Sequence, residues 1–485
     1  MKVAFLLVLL ICRTFCAEHL ASSAEEIEGL IESGKLSPGD TIIWADGEYT
    51  DEELKLDHVH GAEDKPITLR AATPGGVVLL GESKFSIGVR WWVIEGFHFE
   101  GRKGKPNSYN AVQFRGRKNI GAQHVRLTNC AMTNLVTEDS SSKWILLYGQ
   151  NNTIDHCYFT GKRSRGALIT VELAYLNEKE IAGHRIAWNH FADFAFQEGT
   201  DNEVIRVGNS EDQHKAGRCV IERNYFHRCD GENEIISNKS SFNTYRHNTF
   251  RQCNGALVLR HGHHAHVEGN YFFGDGAKDA GGIRVTDSHH VIINNYLQDL
   301  TGETWNAAFS ILGGKKKSGD TSSGYQAVDD IVVAHNSIIN CSRSIFLNKA
   351  KGSRAPNGLI ANNLVVSNSA PLVVEDLSSD KLKWTGNLFH GAKVNPALAA
   401  ITADPDLKES KSLLRPSPSS PAIDTAVDIA TIIEKDLEGH SRPQKGKDIG
   451  ALELAGSGEK QTIGPLGPSL VGVTFLKNKG RPESR

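Results

Sequence analysis

The apolar positions of this chain fall into short runs that return at a fixed interval and never keep helical phase. An Asn followed by apolar residues recurs as Asn224-Tyr225-Phe226, Asn248-Thr249-Phe250, Asn270-Tyr271-Phe272, Asn295-Tyr296-Leu297, Asn336-Ser337-Ile338, Asn363-Leu364-Val365 and Asn387-Leu388-Phe389. These asparagines are spaced by 24, 22, 25, 41, 27 and 24 residues. Asn189-His190-Phe191, Cys157-Tyr158-Phe159 and Phe97-His98-Phe99 read as earlier, less regular copies. Between the marks lie strand-length runs rich in Val and Ile, such as 181–188, 256–259, 289–293 and 330–334, bounded by Gly, Asn and Asp. A period in the twenties built from strands is the pattern of a solenoid. One turn is too small to bury its own apolar face, so turns must stack, with parallel strands about 4.8 Å apart. The pattern predicts an all-β, right-handed parallel β-helix of roughly ten or more turns over residues 40–400. The asparagines are expected in the bends, where they tolerate left-handed backbone and can hydrogen-bond up the stack. The 41-residue step holds a loop, 313–326, which should project over a binding face. The dense leucines of a leucine-rich repeat and the Trp-Asp marks of a propeller are both missing.

The ends differ from the middle. Residues 22–33 form a short amphipathic helix with Ile27, Leu30 and Ile31 on one side, suited to cap the first turn. From about residue 400 the chain changes character, with Ser417-Pro418-Ser419-Ser420-Pro421, Gly439-His440-Ser441-Arg442-Pro443 and Asp448-Ile449-Gly450. This reads as a closing segment of the β-helix, the whole domain spanning 18–455, followed by a loose tail over 456–485. Met1-Lys2, an apolar run and Arg13-Thr14-Phe15-Cys16-Ala17 read as a signal peptide over 1–17, and so as a secreted or periplasmic protein. No later stretch is long and apolar enough for a membrane span.

Charge and cysteine narrow the function classes. The formal net charge of −3 gives no reason to expect a nucleic-acid partner, and binding to a polyanion would need a local basic groove. Without Cys12 and Cys16, six cysteines remain: Cys130, Cys157, Cys219, Cys229, Cys253 and Cys341. An even count in an exported protein permits disulfides. Most of them sit beside the repeat marks, however, which favours small core residues stacked between turns.

The candidate chemistry lies in 230–262. Glu232 and Glu234 are two apart and on a strand would face the same way. Lys239 follows Glu234 by five residues, and Arg260 follows Lys239 by 21, close to one coil. A uronic-acid polymer can be cut without water: a base takes the C5 proton beside the carboxylate, and the C4–O bond breaks. The proton is weakly acidic and the carboxylate opposes further negative charge, so a cation on the carboxylate answers both obstacles. Calcium suits that task, held by carboxylate and Asn oxygens. Glu232 and Glu234 would supply ligands, with a third from 200–203 on the preceding turn. Lys239 would be the base, its charged form disfavoured by the metal and a neighbouring arginine. Arg260 would hold the sugar carboxylate or protonate the departing oxygen. Arg206 and Arg284 would line the same groove, and His261 would contact substrate or orient Arg260.

Bland alternatives stand beside these readings. Paired glutamates are usually a solvated face, a lone lysine is usually surface, and Arg206 and Arg284 could form ion pairs between turns. The run His261-Gly262-His263-His264-Ala265-His266 invites a zinc reading, but alternation sends its members to opposite faces. Aromatic residues at the repeat marks belong to the core, while Trp305 and Tyr325, near the inserted loop, could be sugar platforms.

With these motifs in order, the chain resembles polysaccharide lyase family six, which holds alginate lyases and chondroitinase B, from about residue 22 to 453. The resemblance implies a calcium-assisted lyase. It identifies Lys239 of Asn238-Lys239-Ser240 with the family's base and Arg260 of Arg260-His261-Gly262 with its acid. It identifies Glu232 and Glu234 with the Glu-x-Glu calcium ligands. The family's third ligand is an Asn shortly before Ile-Arg-Ile/Val-Gly; here Thr200 stands near that register and Asn202 two later, so the third ligand falls to Asn202. Alginate is the first-choice substrate, from the segments 281–285 and 307–311, and chondroitin or dermatan sulfate the second. A non-catalytic carbohydrate-binding or adhesion β-helix remains the alternative class. A pectin-type hydrolase would need clustered Asp residues that the central turns do not offer.

Overall fold

The structure, a computed structural model, describes residues 16–101, 110–135, 142–195, 201–317, 324–369, 371–398, 401–454 and 464–476. Residues 1–15 of the expected signal segment, Thr200, residues 318–323 of the expected loop, and 456–463 and 477–485 of the tail lie outside these residues. Three parallel sheets wind as a right-handed β-helix. One has fourteen strands, from Glu18–Ala21 to Leu382–Thr385; one has twelve, from Glu53–Leu56 to Val373–Glu375; the third has fourteen, from Gly47–Thr50 to Ile401–Thr402. Each coil gives one strand to each sheet, as the twenties period requires. The stack begins earlier than residue 40: Glu18–Ala21 already pairs with Thr41–Trp44.

The repeat marks are the internal spine. Asn189, Asn224, Asn248, Asn270, Asn295, Asn336, Asn363 and Asn387 are all buried. Each side-chain amide donates to the next asparagine's Oδ1 at 2.9–3.0 Å. That Oδ1 also accepts the backbone N–H of the preceding ladder residue, so each buried polar atom finds a partner along the stack. The left-handed backbone belongs to the residue before each ladder position. Trp188, Arg223, His247, Asn294, His335 and Asn362 have φ between 51° and 57°, and Gly269 and Gly386 have φ of 65° and 63°. The bend is thus made one residue ahead of the asparagine, which leaves that side chain free to point inward.

Two residues after each mark, rings pile in the core. Phe159, Phe191, Phe226, Phe250 and Phe272 stack with centroids 4.6–5.1 Å apart and planes within 12°. Cys157 occupies the ladder position above Asn189, its N–H donating to Asn189 Oδ1 at 2.9 Å. The six interior cysteines are buried and free, as their position beside the marks foretold.

The helix Ala24–Glu32 is capped by Ser23, whose Oγ accepts from Glu26 N–H at 3.2 Å, while Glu26 reaches back to Ser22 N–H at 2.7 Å. Its buried Ile27 and Ile31 pack toward Glu53–Leu56, the first strand of the twelve-stranded sheet. The C-terminal segment takes a different course from the one expected. It lies along the flank of the third sheet and runs back toward the N-terminal turns. Leu413, Leu437, Ala451 and Leu452 cover Tyr271, Phe273, Tyr296 and Ile339. The Leu466 N–H donates to Thr249, the Gly472 N–H to the Trp188 carbonyl and the Thr474 N–H to Asn129. Phe475 lies over Gly75. The tail expected to be loose is therefore packed over 464–476, with Val471 and Val473 buried.

Candidate active site

The candidate residues sit on the outer face of the twelve-stranded sheet, on the neighbouring strands Ile205–Gly208, Glu234–Lys239, Gly255–His261, Ala280–Val285 and Phe309–Leu312. Inward positions such as Ile205, Ile236, Leu257 and Ile283 fill the core. The positions between them point out and align as Thr170, Arg206, Ser237, Val258, Arg284 and Ser310. Arg206 and Arg284 thus share one column, three strand spacings apart.

Strict alternation would defeat the site, because Glu234 and Lys239 are five residues apart and would face opposite ways. Two bulges resolve this. Glu234 pairs with Ala256 and Ile236 with Leu257, so Ile235 is extra; Asn238 pairs with Leu259 and Lys239 with His261, so Arg260 is extra. The first bulge sends Ile235 into the core and brings the Glu234 carboxylate out to the Ser237 hydroxyl at 2.5 Å and Arg284 Nη1 at 3.4 Å. The second sets both Arg260 and His261 opposite Lys239. Bulges re-aim side chains in this way next to active sites.

Lys239 stands at the end of its strand, against Gly208 (φ 80°), where a Cβ would come within 2.8 Å of the Lys239 carbonyl oxygen. Beneath it, the inward Asn238 is clamped by the Asn243 amide at 2.8 Å and the Tyr245 hydroxyl at 2.7 Å, and its own amide donates to the His261 carbonyl at 2.7 Å. The Lys239 ammonium is 3.2 Å from Glu203 Oε1. Glu203 is 2% exposed, and its Oε2 has no hydrogen-bond partner among the described residues. Glu203 lay in the 200–203 stretch expected to give a metal ligand, but its role as the partner of Lys239 had no signal in the spacing. Lys162, which sequence reasoning missed, is buried nearby and donates to the Ser164 and Arg165 carbonyls. Burial pushes its ammonium down to about 7, with Glu203 opposing that shift.

Glu232 precedes the strand, and its Oε1 accepts the Asn202 N–H at 2.8 Å. Burial, then Glu203, then Glu234 push its carboxyl up to about 8. Glu232 and Glu234, whose charges oppose each other, are hard oxygen donors. Among the described residues no three Asp, Glu, His or Cys side chains converge closely enough to ligate a metal by themselves, so a ligand set here must include an amide or backbone oxygen. Asn202, whose N–H donates to Glu232, would offer such an oxygen, and carboxylate and amide oxygens are the donor types calcium takes.

The arginines divide. Arg206 is partly exposed and pairs with Asp201 at 3.1 Å. Arg284, expected in the groove, is instead enclosed at 1% exposure. It is held by Glu234, the Trp305 and Asn233 carbonyls and Asn306 Oδ1. It makes the ion pair between turns that was the alternative reading. His261 is likewise buried, with Nδ1 at 3.0 Å from Gln326 Oε1. Burial, then Arg260 and Lys239, push it down to about 3, so it is neutral. It packs behind Arg260, and no face of it meets solvent.

Arg260 lies against residues 324 and 325, at the end of the inserted segment. Its guanidinium carbon lies 3.7 Å from the Tyr325 ring centroid and its Nη1 donates to the Gly324 carbonyl at 3.2 Å. The remaining histidines of the run belong elsewhere: His264 stacks between Phe242 and His289 at 4.8 and 4.6 Å.

Comparison with known proteins gives the family and the fold. The family model described as chondroitinase B matches residues 21–398. Among solved structures, the PL6 family alginate lyase AlyGC is 31% identical, with a TM-score of 0.77, over 83% of this chain and 55% of that one. A point mutant of AlyGC gives 29% identity and a TM-score of 0.81, over 96% of this chain and 59% of the other. A mannuronic acid specific family 6 lyase from human gut microbiota gives 26% and 0.68, over 79% and 87%. The chain thus spans somewhat more than half the length of AlyGC. A search of curated proteins found no match. No helix among the described residues is long and apolar enough to cross a membrane. On the match over 21–398, the chain belongs to the chondroitinase B family, polysaccharide lyase family six.

Proposed function

We propose that the protein is an exported lyase that cuts a uronic-acid polymer, alginate in the first instance, by β-elimination. The observation that carries this reading is the pair of bulges that re-aims Glu234 and sets Arg260 beside Lys239 on one outer face. Export rests on the leader-like residues 1–17.

Lys239 acts as the base and takes the C5 proton of the sugar. The C5–H electrons form the C4–C5 double bond, the C4–O bond breaks, and the departing oxygen takes a proton from Arg260 or from water that Arg260 orients. The products are an unsaturated uronate at one new end and a hydroxyl on the other. Glu203 holds the Lys239 side chain in place. Arg284 fixes Glu234, and Arg206 receives a substrate carboxylate further along the column. Glu232, Glu234 and Asn202 would hold calcium, which when bound supplies positive charge to the carboxylate of the reacting sugar.

Alginate is favoured by the alginate lyases among the relatives. Chondroitin or dermatan sulfate is the second reading, supported by the matching family model. The test is ultraviolet detection of unsaturated ends on poly-mannuronate, poly-guluronate and glycosaminoglycans, with calcium present. New absorbance on the alginate blocks is expected. Absorbance only on glycosaminoglycans would move the assignment to the second reading. Silence on every polymer would leave the non-catalytic β-helix.

A further inference from the structure

Beyond Arg260, on the side away from Arg206, three short inserted elements converge. Trp305 stands in the single-turn helix Thr304–Asn306, which precedes the strand Phe309–Leu312. Tyr325 ends the loop that follows this strand, and its carbonyl accepts the Lys315 and Lys316 N–H groups at 2.9 and 3.0 Å, which ties down the loop stem. Lys351 stands in Lys349–Lys351, capped by Asn348 Oδ1 on the Ala350 N–H at 2.8 Å. The Trp305 and Tyr325 rings lie 6.2 Å apart at 44°. The Lys351 ammonium is 5.1 Å from one ring centroid and 5.3 Å from the other. Among the described residues it has no carboxylate within ion-pairing distance, and all three side chains are partly open to solvent.

We propose that Trp305, Tyr325 and Lys351 form a sugar-binding subsite that takes the uronate adjoining the reacting residue, on the C-terminal side of Arg260. The proposal rests on the uronate-lyase reading above. A uronate presents a C–H face and a carboxylate. Two tilted rings match the face, and an ammonium without an acid partner matches the carboxylate. Cation–π contacts at exposed sites hold a lysine only weakly, so Lys351 is poised and can be drawn off by a stronger anionic partner. Because Tyr325 also covers Arg260, filling this subsite and placing the acid are coupled. Arg284 ties the same cluster to the calcium side, since its Nε donates to the Trp305 carbonyl at 3.1 Å.

The test titrates uronate dimers to hexamers calorimetrically into the Lys239→Ala chain, in calcium, with and without Lys351→Met, Trp305→Ala or Arg206→Ala. Melting temperatures confirm that each variant is folded, and Trp305→Phe serves if Trp305→Ala is not. Hexamer affinity should fall about tenfold with Lys351→Met and at least as much with Trp305→Ala, with a smaller loss for the shortest oligomer. Hexamer affinity unchanged by Lys351→Met and by the Trp305 variant, while Arg206→Ala weakens it, would overturn the subsite and leave the lyase standing. If the Lys239→Ala chain binds no uronate oligomer and the wild-type chain releases no unsaturated ends, the functional reading itself falls and the subsite with it.

Discussion

Lys239 is more than a surface lysine, because the carboxylate it faces is buried. Removing it strands Glu203 in a site of low polarity. Lys239→Ala should therefore cost turnover, by about two or more powers of ten, and also stability, on the order of 1–3 kcal/mol. Adding Glu203→Gln should restore much of the melting temperature without restoring turnover. Thermal scans and kcat on the two variants check this, and recovery of both together would mean that Lys239 is structural. A second expectation concerns calcium. Glu232 is held near 8 by burial and by Glu203 and Glu234, so the metal-free carboxyl carries its proton at neutral pH. Calcium binding must displace that proton, so affinity should rise with pH through about 8, with about one proton released per ion near pH 7. Calorimetry in buffers of different ionisation enthalpy counts the protons, and Glu232→Gln should abolish the release.

Elements decide which of the paired arginines reaches substrate. Arg206→Ala should mainly raise KM, by several-fold, with a salt dependence that follows screening of a partly exposed charge. Arg284→Ala should instead lower the melting temperature and weaken calcium binding, because it leaves Glu234 without its partner; steady-state kinetics beside calcium titration separate the two. The ladder makes a parallel case: Asn270→Ala leaves buried backbone and amide groups unpaired on two neighbouring turns and should cost about 1–3 kcal/mol, read by denaturation. How much of this the sequence disclosed follows from what is local. The Asn interval announced the coil, and Lys239 to Arg260 fell one coil apart because both lie at strand ends. The bulges at Ile235 and Arg260 have no local mark, since an apolar residue and a charged one fit an unbroken strand equally well. The enclosure of Arg284 and His261 comes from Trp305, Asn306 and Gln326, on later turns, which no strand-level pattern could place.

At the scale of the molecule, burial also sets the response to acid. His184, His261 and His290 are pushed down to about 3 and His247 to about 4, and His335 well below its usual range, in each case first by burial. The unfolded chain, with histidines near 6.5, binds more protons than the folded one between these values and 6.5. Stability therefore rises with pH across that window and is lost on acidification below about 6.5. The melting temperature should be lower at pH 5 than at pH 7.5, by several degrees, and a flat profile would contradict the buried, neutral histidines.

A stack of coils is, energetically, a linear chain of couplings, each link known only to its neighbours, and such chains come apart from their free ends. The backward course of residues 401–454 and 464–476 changes that arithmetic. Leu466, Gly472, Thr474 and Phe475 touch coils marked by Thr249, Trp188, Asn129 and Gly75, so a segment late in the sequence is bound to coils that precede it by about 200–400 residues. The line acquires a return path, and loss of a terminal coil now breaks contacts along the length of the molecule. A chain cut at residue 454 should show the early coils exchanging amide hydrogens ahead of the centre, whereas the uncut chain should protect both alike, so that this returning strap governs how the early coils come undone.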